Sequence, residues 1–359
     1  MRRTVTHDIG GSRKASPDSV FQTLSLYRCL KSMRNPRGLL RTLDAEFRLL
    51  SWRAGNSAAV FEIMTDDGRH LMLKCYIRPK RNLAAIYGER FRPQELYVFG
   101  DGSGGTYTDV VVDEWIEGAT LAEHMADAAK TGDSARIARL AAAFDDMARS
   151  MLADECAHGD LKPENIVVTE DMQLRLIDFD AAYVPSLRGC RCEEIGTEAW
   201  QHPSRTYDDF DRHLDDYPIA LISTTLHALA AEPEIFLRHA DADGSVIEPH
   251  EASTGGSEAL ACIENLFARK CMPVQYRIAT LLRSHAYRLP QLAEYMSYGA
   301  DRFAVCKGRI PEPDAAYGLW GYKLDDKFVV PPLFDDCMPV RSGRAEVVLG
   351  GIRHEITLG

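Results

Sequence analysis

The sequence predicts an α+β chain: a strand-rich front, a helical body and a small all-β piece at the end. Three observations predict it. Between residues 46 and 115, short runs rich in β-branched and aromatic side chains are separated by turn residues. After Gly118 the apolar positions recur every three or four residues over long segments, and beyond residue 316 short strand-like runs return. At 359 residues the chain exceeds the usual single-domain size, so two or three packed units are expected.

Residues 1–16 are polar and rich in Gly, Ser and Arg. From Ser16 the pattern turns helical, with Pro17 suited to a first helical position and Val20, Leu24, Tyr27 and Leu30 three or four apart; Asn35-Pro36 stops it. Strands follow at 46–52, 59–64 and 69–76, the last two joined by Asp66-Asp67-Gly68. A short helix at 83–90 precedes two strands, 95–99 and 108–115, across a glycine-rich loop. Helices are expected at 121–130, 134–156, 217–231, 257–270 and 273–284. Gly308, Pro311 and Pro313 mark a linker, and strands at 317–324, 327–330, 344–349 and 352–358 end the chain, the last pair turning on Gly350-Gly351. The expected units are a basic extension with one helix (1–45), a small β lobe (46–117), a helical lobe (118–300), a linker (301–316) and a β appendix (317–359).

Hydrophobic residues make up 45% and charged residues 26%, which excludes a wholly disordered or fibrous chain. The formal charge is −11, yet residues 1–92 hold 18 Lys and Arg against 8 Asp and Glu. An acidic whole argues against non-specific nucleic-acid binding. The basic row Arg28, Lys31, Arg34, Arg37 and Arg41 reads as a surface for the acidic remainder or for a docking partner. No apolar run reaches the ~18 residues a membrane span needs, and the start lacks the apolar stretch of a secretion signal, so a cytoplasmic protein is expected. Nine cysteines, an odd number without CxxC spacing, read as reduced thiols; Cys190 and Cys192 find no fourth ligand for a metal.

The chemistry concentrates in His158-Gly159-Asp160-Leu161-Lys162-Pro163-Glu164-Asn165, followed by Asp178-Phe179-Asp180. Phosphoryl transfer from ATP needs a carboxylate to orient the attacking hydroxyl, oxygen ligands for Mg²⁺ and a fixed cation on the phosphates. An Asp and an Asn five residues apart on a tight loop can face one metal–phosphate centre, and the apolar pair 166–168 and 174–177 reads as a buried hairpin holding loop and Asp178 rigid.

With these motifs the chain resembles a bacterial, eukaryotic-type Ser/Thr protein kinase over about residues 46–290. The resemblance implies a bilobal protein-kinase-like fold and a phosphotransferase using ATP and Mg²⁺ on a protein substrate, with a nucleotide-binding pseudokinase and a small-molecule kinase as alternatives. It implies Asp160 as catalytic base, Lys162 on the transferring phosphoryl, Asn165 and Asp178 as Mg²⁺ ligands, and Thr197 touching Asp160 and Lys162. Upstream, Lys74 stands where the family places its phosphate-binding strand lysine, with Glu89 as its carboxylate partner and Glu95 as the alternative. The segment from Arg53 to Val60 is similar to the phosphate-covering loop, with Gly55, Ala58 and Val60 at patterned positions and one of three glycines kept. The stretch from Val112 to Gly118 is similar to the hinge, where adenine would meet the Glu114 carbonyl and the Ile116 amide. Gly100 to Gly105 satisfies G-x-G-x-x-G by spacing alone and reads as a hairpin loop.

Departures are as specific. Gly159 replaces the arginine that precedes the catalytic Asp, Asp180 replaces the glycine of D-F-G, and Ser204 replaces the bracing glutamate after the activation segment. Asp215 matches the family's anchor of the catalytic-loop backbone. The run from Gly318 to Lys323, with Phe328 to Asp336, resembles one WG-type β repeat. A single copy buries little by itself and is expected to pack on the body or to bind a partner.

Overall fold

The computed structural model describes residues 47–358 apart from 56, 77, 100–104, 242–243 and 299–308. The expected N-terminal helix, the basic row at 28–41 and most of the 100–105 loop lie outside the described residues. The chain divides into two compact units between Glu117 and Gly118.

Period-two alternation builds the first unit. Strands β1 (Phe47–Ala54), β2 (Ala58–Thr65) and β3 (His70–Tyr76) form a meander. Helix α1 (Leu83–Tyr87) leads to β4 (Phe91–Phe99) and β5 (Gly105–Glu114), which complete one antiparallel sheet in the order β1-β2-β3-β5-β4. Phe61, Ile63, Leu73, Cys75, Val110 and Val112 fill the core on one face. Register sets Lys74 directly between Val60 and Val111, so these three share the opposite face.

Two expectations shift here. The helix expected over 83–90 ends at Tyr87 because Gly88 takes a φ of +56°, and residues 88–90 form a 3-10 turn. Strand β4 starts at Phe91 rather than at 95. Pro93 is accommodated in a bulge between Arg92 and Leu96, where the ladder needs no N–H.

The second unit starts with β6 (Ala119–Thr120) and α2 (Leu121–Thr131), which Thr120 and Glu123 cap reciprocally. Helix α3 (Ser134–Ala153) stops short of the expected residue 156 because Asp154 is extended. Strands β7 (Ile166–Val168) and β8 (Leu174–Leu176) pair beside β6 as expected for the hairpin. Helix α4 (Asp216–Ala231) is apolar on nearly all sides and is accordingly buried through most of its length. Around it lie α5 (Glu234–His239), α6 (Pro249–Thr254), α7 (Glu258–Arg269), α8 (Pro273–Leu281) and α9 (Leu292–Ser297). Helices α5, α6 and α9 are too short for a 3.6-residue period to register in the sequence.

At the end of this unit β9 (Glu312–Ala316), β10 (Leu319–Leu324) and β11 (Lys327–Phe334) form one sheet, and β12 (Asp336–Cys337), β13 (Arg344–Leu349) and β14 (Ile352–Thr357) another. Residues 312–316, expected as linker, are thus a strand, and β11 runs through Pro331-Pro332. Both proline-bearing strands are edges of the order β11-β10-β9, and the central strand has no proline. A Cβ at Gly321 would lie 2.3 Å from the Val330 carbonyl, so only glycine lets the two strands cross there. This module packs on the helices. Cys271 and Tyr276 join its core, and buried Arg277 donates to the Leu333 carbonyl (2.7 Å) and to Asp335 (2.6 Å).

Candidate active site

The candidate chemistry lies on the loop between α3 and β7. Buried Asp215, immediately before α4, accepts from the backbone N–H of His158 (2.5 Å) and of Gly159 (2.9 Å). Burial pushes the Asp215 carboxyl above its ordinary range, while His158 and the two N–H donors oppose that shift. His158 accepts from the Asp160 N–H at Nδ1 (3.3 Å), bonds the Ile177 carbonyl through Nε2 (2.8 Å) and lies against the Phe179 ring, 5.1 Å between centroids. Ile177 also donates to the Asn165 carbonyl (2.9 Å). Both neighbours of Asp178 are therefore tied to the 158–165 loop. Asp178 itself is exposed and adopts φ +64°, a left-handed conformation that non-glycine residues seldom take.

The Asp160 carboxylate is held on both oxygens. Oδ1 accepts from the Thr197 N–H at 2.6 Å, and Oδ2 accepts from Asn165 Nδ2 at 3.3 Å with Lys162 Nζ at 3.8 Å. Lys162 donates in turn to Thr197 Oγ1 (2.8 Å). The structure thus brings Asp160, Lys162, Asn165 and Thr197 together, and the Asp160 side chain stays 20% exposed, within reach of a reactant. Because Asn165 spends its amide nitrogen on the carbonyl (2.9 Å) and carboxylate of Asp160, its side-chain oxygen is left as a ligand. Among the described residues no three His, Cys, Asp or Glu gather into a metal site. One amide oxygen and one exposed carboxylate suit Mg²⁺ shared with phosphate oxygens rather than an all-protein cage.

Close packing explains the unusual residues. Gly159 has φ +78°, and a Cβ there would lie 2.1 Å from the Ala181 carbonyl oxygen, so no arginine fits this position. Gly196 is pressed on the same loop, its would-be Cβ 2.9 Å from Asp160 Oδ1 and from the Gly159 carbonyl. Where Ser204 replaces the bracing glutamate, His202 supplies another tie. It bonds Ser204 Oγ (2.7 Å) and the Ser284 carbonyl (3.0 Å), with its ring edge-on to Tyr217, and burial pulls its pKa down. Arg205 reaches back to the Gly159 carbonyl at 2.8 Å. Spacing along the chain does not reveal this tie, because its target lies 46 residues away.

In the first unit, Lys74 is 5% exposed and faces the Tyr76 ring, 5.6 Å from its centroid. Glu89 is exposed on the 3-10 turn, whereas Glu95 is 1% exposed. Gly55 donates to the Ala58 carbonyl (2.8 Å) and closes the short β1–β2 loop, which sets Ala58 at the start of β2. Glu114 ends β5 and Ile116 follows it, beyond Trp115, whose N–H bonds the His70 carbonyl (3.0 Å). Asp113 is paired with Arg90 at 2.7 Å.

No curated protein matches the chain. A family profile described as the ABC1 atypical kinase-like domain matches residues 103–184, the stretch holding β5, α2, α3, Asp160, Asn165 and Asp178. That match, less than a quarter of the chain, supports a kinase-like fold.

Proposed function

We propose that the protein is an ATP- and Mg²⁺-dependent phosphotransferase whose acceptor is a Ser or Thr hydroxyl of a protein. The observation that carries this reading is the Asp160 carboxylate, oriented by the Thr197 N–H and Asn165 with Lys162 beside it. In it, Asp160 accepts the proton of the attacking hydroxyl and Lys162 offsets charge on the transferring group. Thr197 holds Lys162 and Asp160 in one arrangement, and Lys74, with Glu95 ahead of Glu89, serves the nucleotide phosphates. Gly55, Ala58 and Val60 cover the phosphates, and Glu114 and Ile116 meet the adenine. Asn165 and Asp178 would hold Mg²⁺, which when bound neutralises phosphate charge. The reading includes a small lobe at 46–117, a helical lobe at 118–300 and a WG-type tail, and it places the work in the cytoplasm.

Gly159 favours a second reading, a small molecule as acceptor, because the arginine of protein-kinase relatives is absent. The test is transfer of radiolabelled γ-phosphate by wild type and Asp160→Asn to a generic protein acceptor and to pooled small metabolites. Label in protein, lost in Asp160→Asn by ~10²–10⁴-fold, is the expected result. Label only in metabolites would install the second reading. ATP·Mg²⁺ at 100 Kd should stabilise the fold by about 2.7 kcal/mol. Stabilisation without transfer to either acceptor would leave a nucleotide-binding pseudokinase, and neither effect would end the proposal.

A further inference from the structure

One buried cation has no task in this reading. Arg205 is 5% exposed. Its Nη1 donates to the Gly159 carbonyl at 2.8 Å and to Gln201 Oε1, while Nε and Nη2 meet no oxygen acceptor among the described residues and the buried Cys192 thiol is the remaining side-chain partner of the group. Burying a guanidinium with idle N–H groups is unfavourable, and an apolar side chain of similar volume often costs less. Burial accordingly pulls the Arg205 pKa below its ordinary value, with Cys192, then Asp215 and Asp160, opposing the shift. A residue kept at such a cost calls for a specific use.

The geometry supplies one. Asp215 holds the N–H groups of His158 and Gly159, and Arg205 holds the Gly159 carbonyl, so buried opposite charges grip the backbone directly before Asp160 from both sides. Residue 159 cannot hold itself by a side chain, because a Cβ there would strike Ala181. The segment that supplies Arg205 also supplies Gly196 and Thr197, which press on and bond the Asp160 carboxylate.

We infer that Arg205 is a positioning residue: by holding the Gly159 carbonyl it sets the Asp160 carboxylate for the acceptor hydroxyl, in place of an arginine at position 159. This rests on the phosphotransferase reading. The test compares wild type, Arg205→Lys and Arg205→Met in phosphate transfer with ATP varied, and in amide hydrogen exchange read over residues 156–166 and over α7. Arg205→Met should lower kcat by ~10–100-fold, as a small misplacement of a reacting group does, with KM for ATP nearly unchanged. Exchange should rise over 156–166 and stay level in α7. Arg205→Lys, which keeps the charge and a single donor, should fall between. Unchanged kcat per folded molecule, or exchange rising equally in α7, would overturn the inference. Should wild type transfer no phosphate, the phosphotransferase reading fails first. The exchange arm then decides alone: loosening confined to 156–166 upholds the positioning, and no loosening removes it.

Discussion

Gly159→Ala puts the packing of the candidate site under direct test. The residue adopts φ +78°, and the left-handed region costs a residue with a Cβ roughly 1–2 kcal/mol. The new methyl carbon would lie 2.1 Å from the Ala181 oxygen and 2.9 Å from its carbonyl carbon, both backbone atoms that cannot rotate away. Relieving that overlap means moving the turn that follows Asp178, at an overpacking cost of about 1–3 kcal/mol. Together the losses reach about 2–5 kcal/mol. Gly189 is the control, since its φ is +85° and nothing lies within 4 Å of a would-be Cβ. Gly189→Ala should therefore cost only the backbone share, about 1–2 kcal/mol. Thermal unfolding reads both, at roughly 2–4 °C per kcal/mol for a unit of this size. Gly159→Arg, the residue of the protein kinases the sequence resembles, should be at least as damaging as alanine. Equal losses in Gly159→Ala and Gly189→Ala would refute the argument from contact.

Three further outcomes follow from the second unit. Burial, with a smaller contribution from the charge of Asp215, raises the Asp216 pKa from 3.8 to about 6, although it accepts from the Leu289 N–H. Between those values the native state keeps a proton that the unfolded chain has released, so stability should fall as pH rises from about 4 to about 6, by up to about 3 kcal/mol, and then level off. Urea melts across that range should show a flatter profile for Asp216→Asn, and an identical slope in both proteins would contradict the assignment. Arg277→Met removes the bonds to Leu333 and Asp335 and should cost about 2–4 kcal/mol while easing proteolytic release of the C-terminal module; a Tm within 1 °C of wild type would sink it. Thr120→Ala strips the cap from α2 and should cost about 1 kcal/mol by the same melts, with no change in transfer.

Much of the fold could be read because local chemistry repeats itself. The alternation in β2 and β3, the Asp66-Asp67-Gly68 turn and the Gly350-Gly351 turn, with φ of +58° and +76°, are properties of neighbouring residues. Helix α4 was visible as an apolar run, although its all-round burial comes from the helices packed around it. Strand β9 and the second half of β11 are not legible in the sequence, because Pro313, Pro331 and Pro332 argue against a strand until their edge positions are known. The exposure of the two carboxylates offered as partners for Lys74 is illegible for a similar reason. Glu89 sits in a helical-looking run, and only the Gly88 break and the bulge in β4 leave it exposed while burying Glu95.

The sequence by itself determined the candidate chemistry, since Asp160, Lys162, Asn165 and Asp178 are side-chain types at short spacings on one loop and hairpin. It also determined that position 159 is a glycine, without saying why. Tertiary structure alone decided the reason: the Ala181 carbonyl occupies the space a side chain would need, and Arg205 arrives from 46 residues away to join the expected anchor, Asp215, in holding the backbone there. Such ties depend on which distant segments share a volume, and pairwise spacing along a chain carries no trace of that until packing has brought them together.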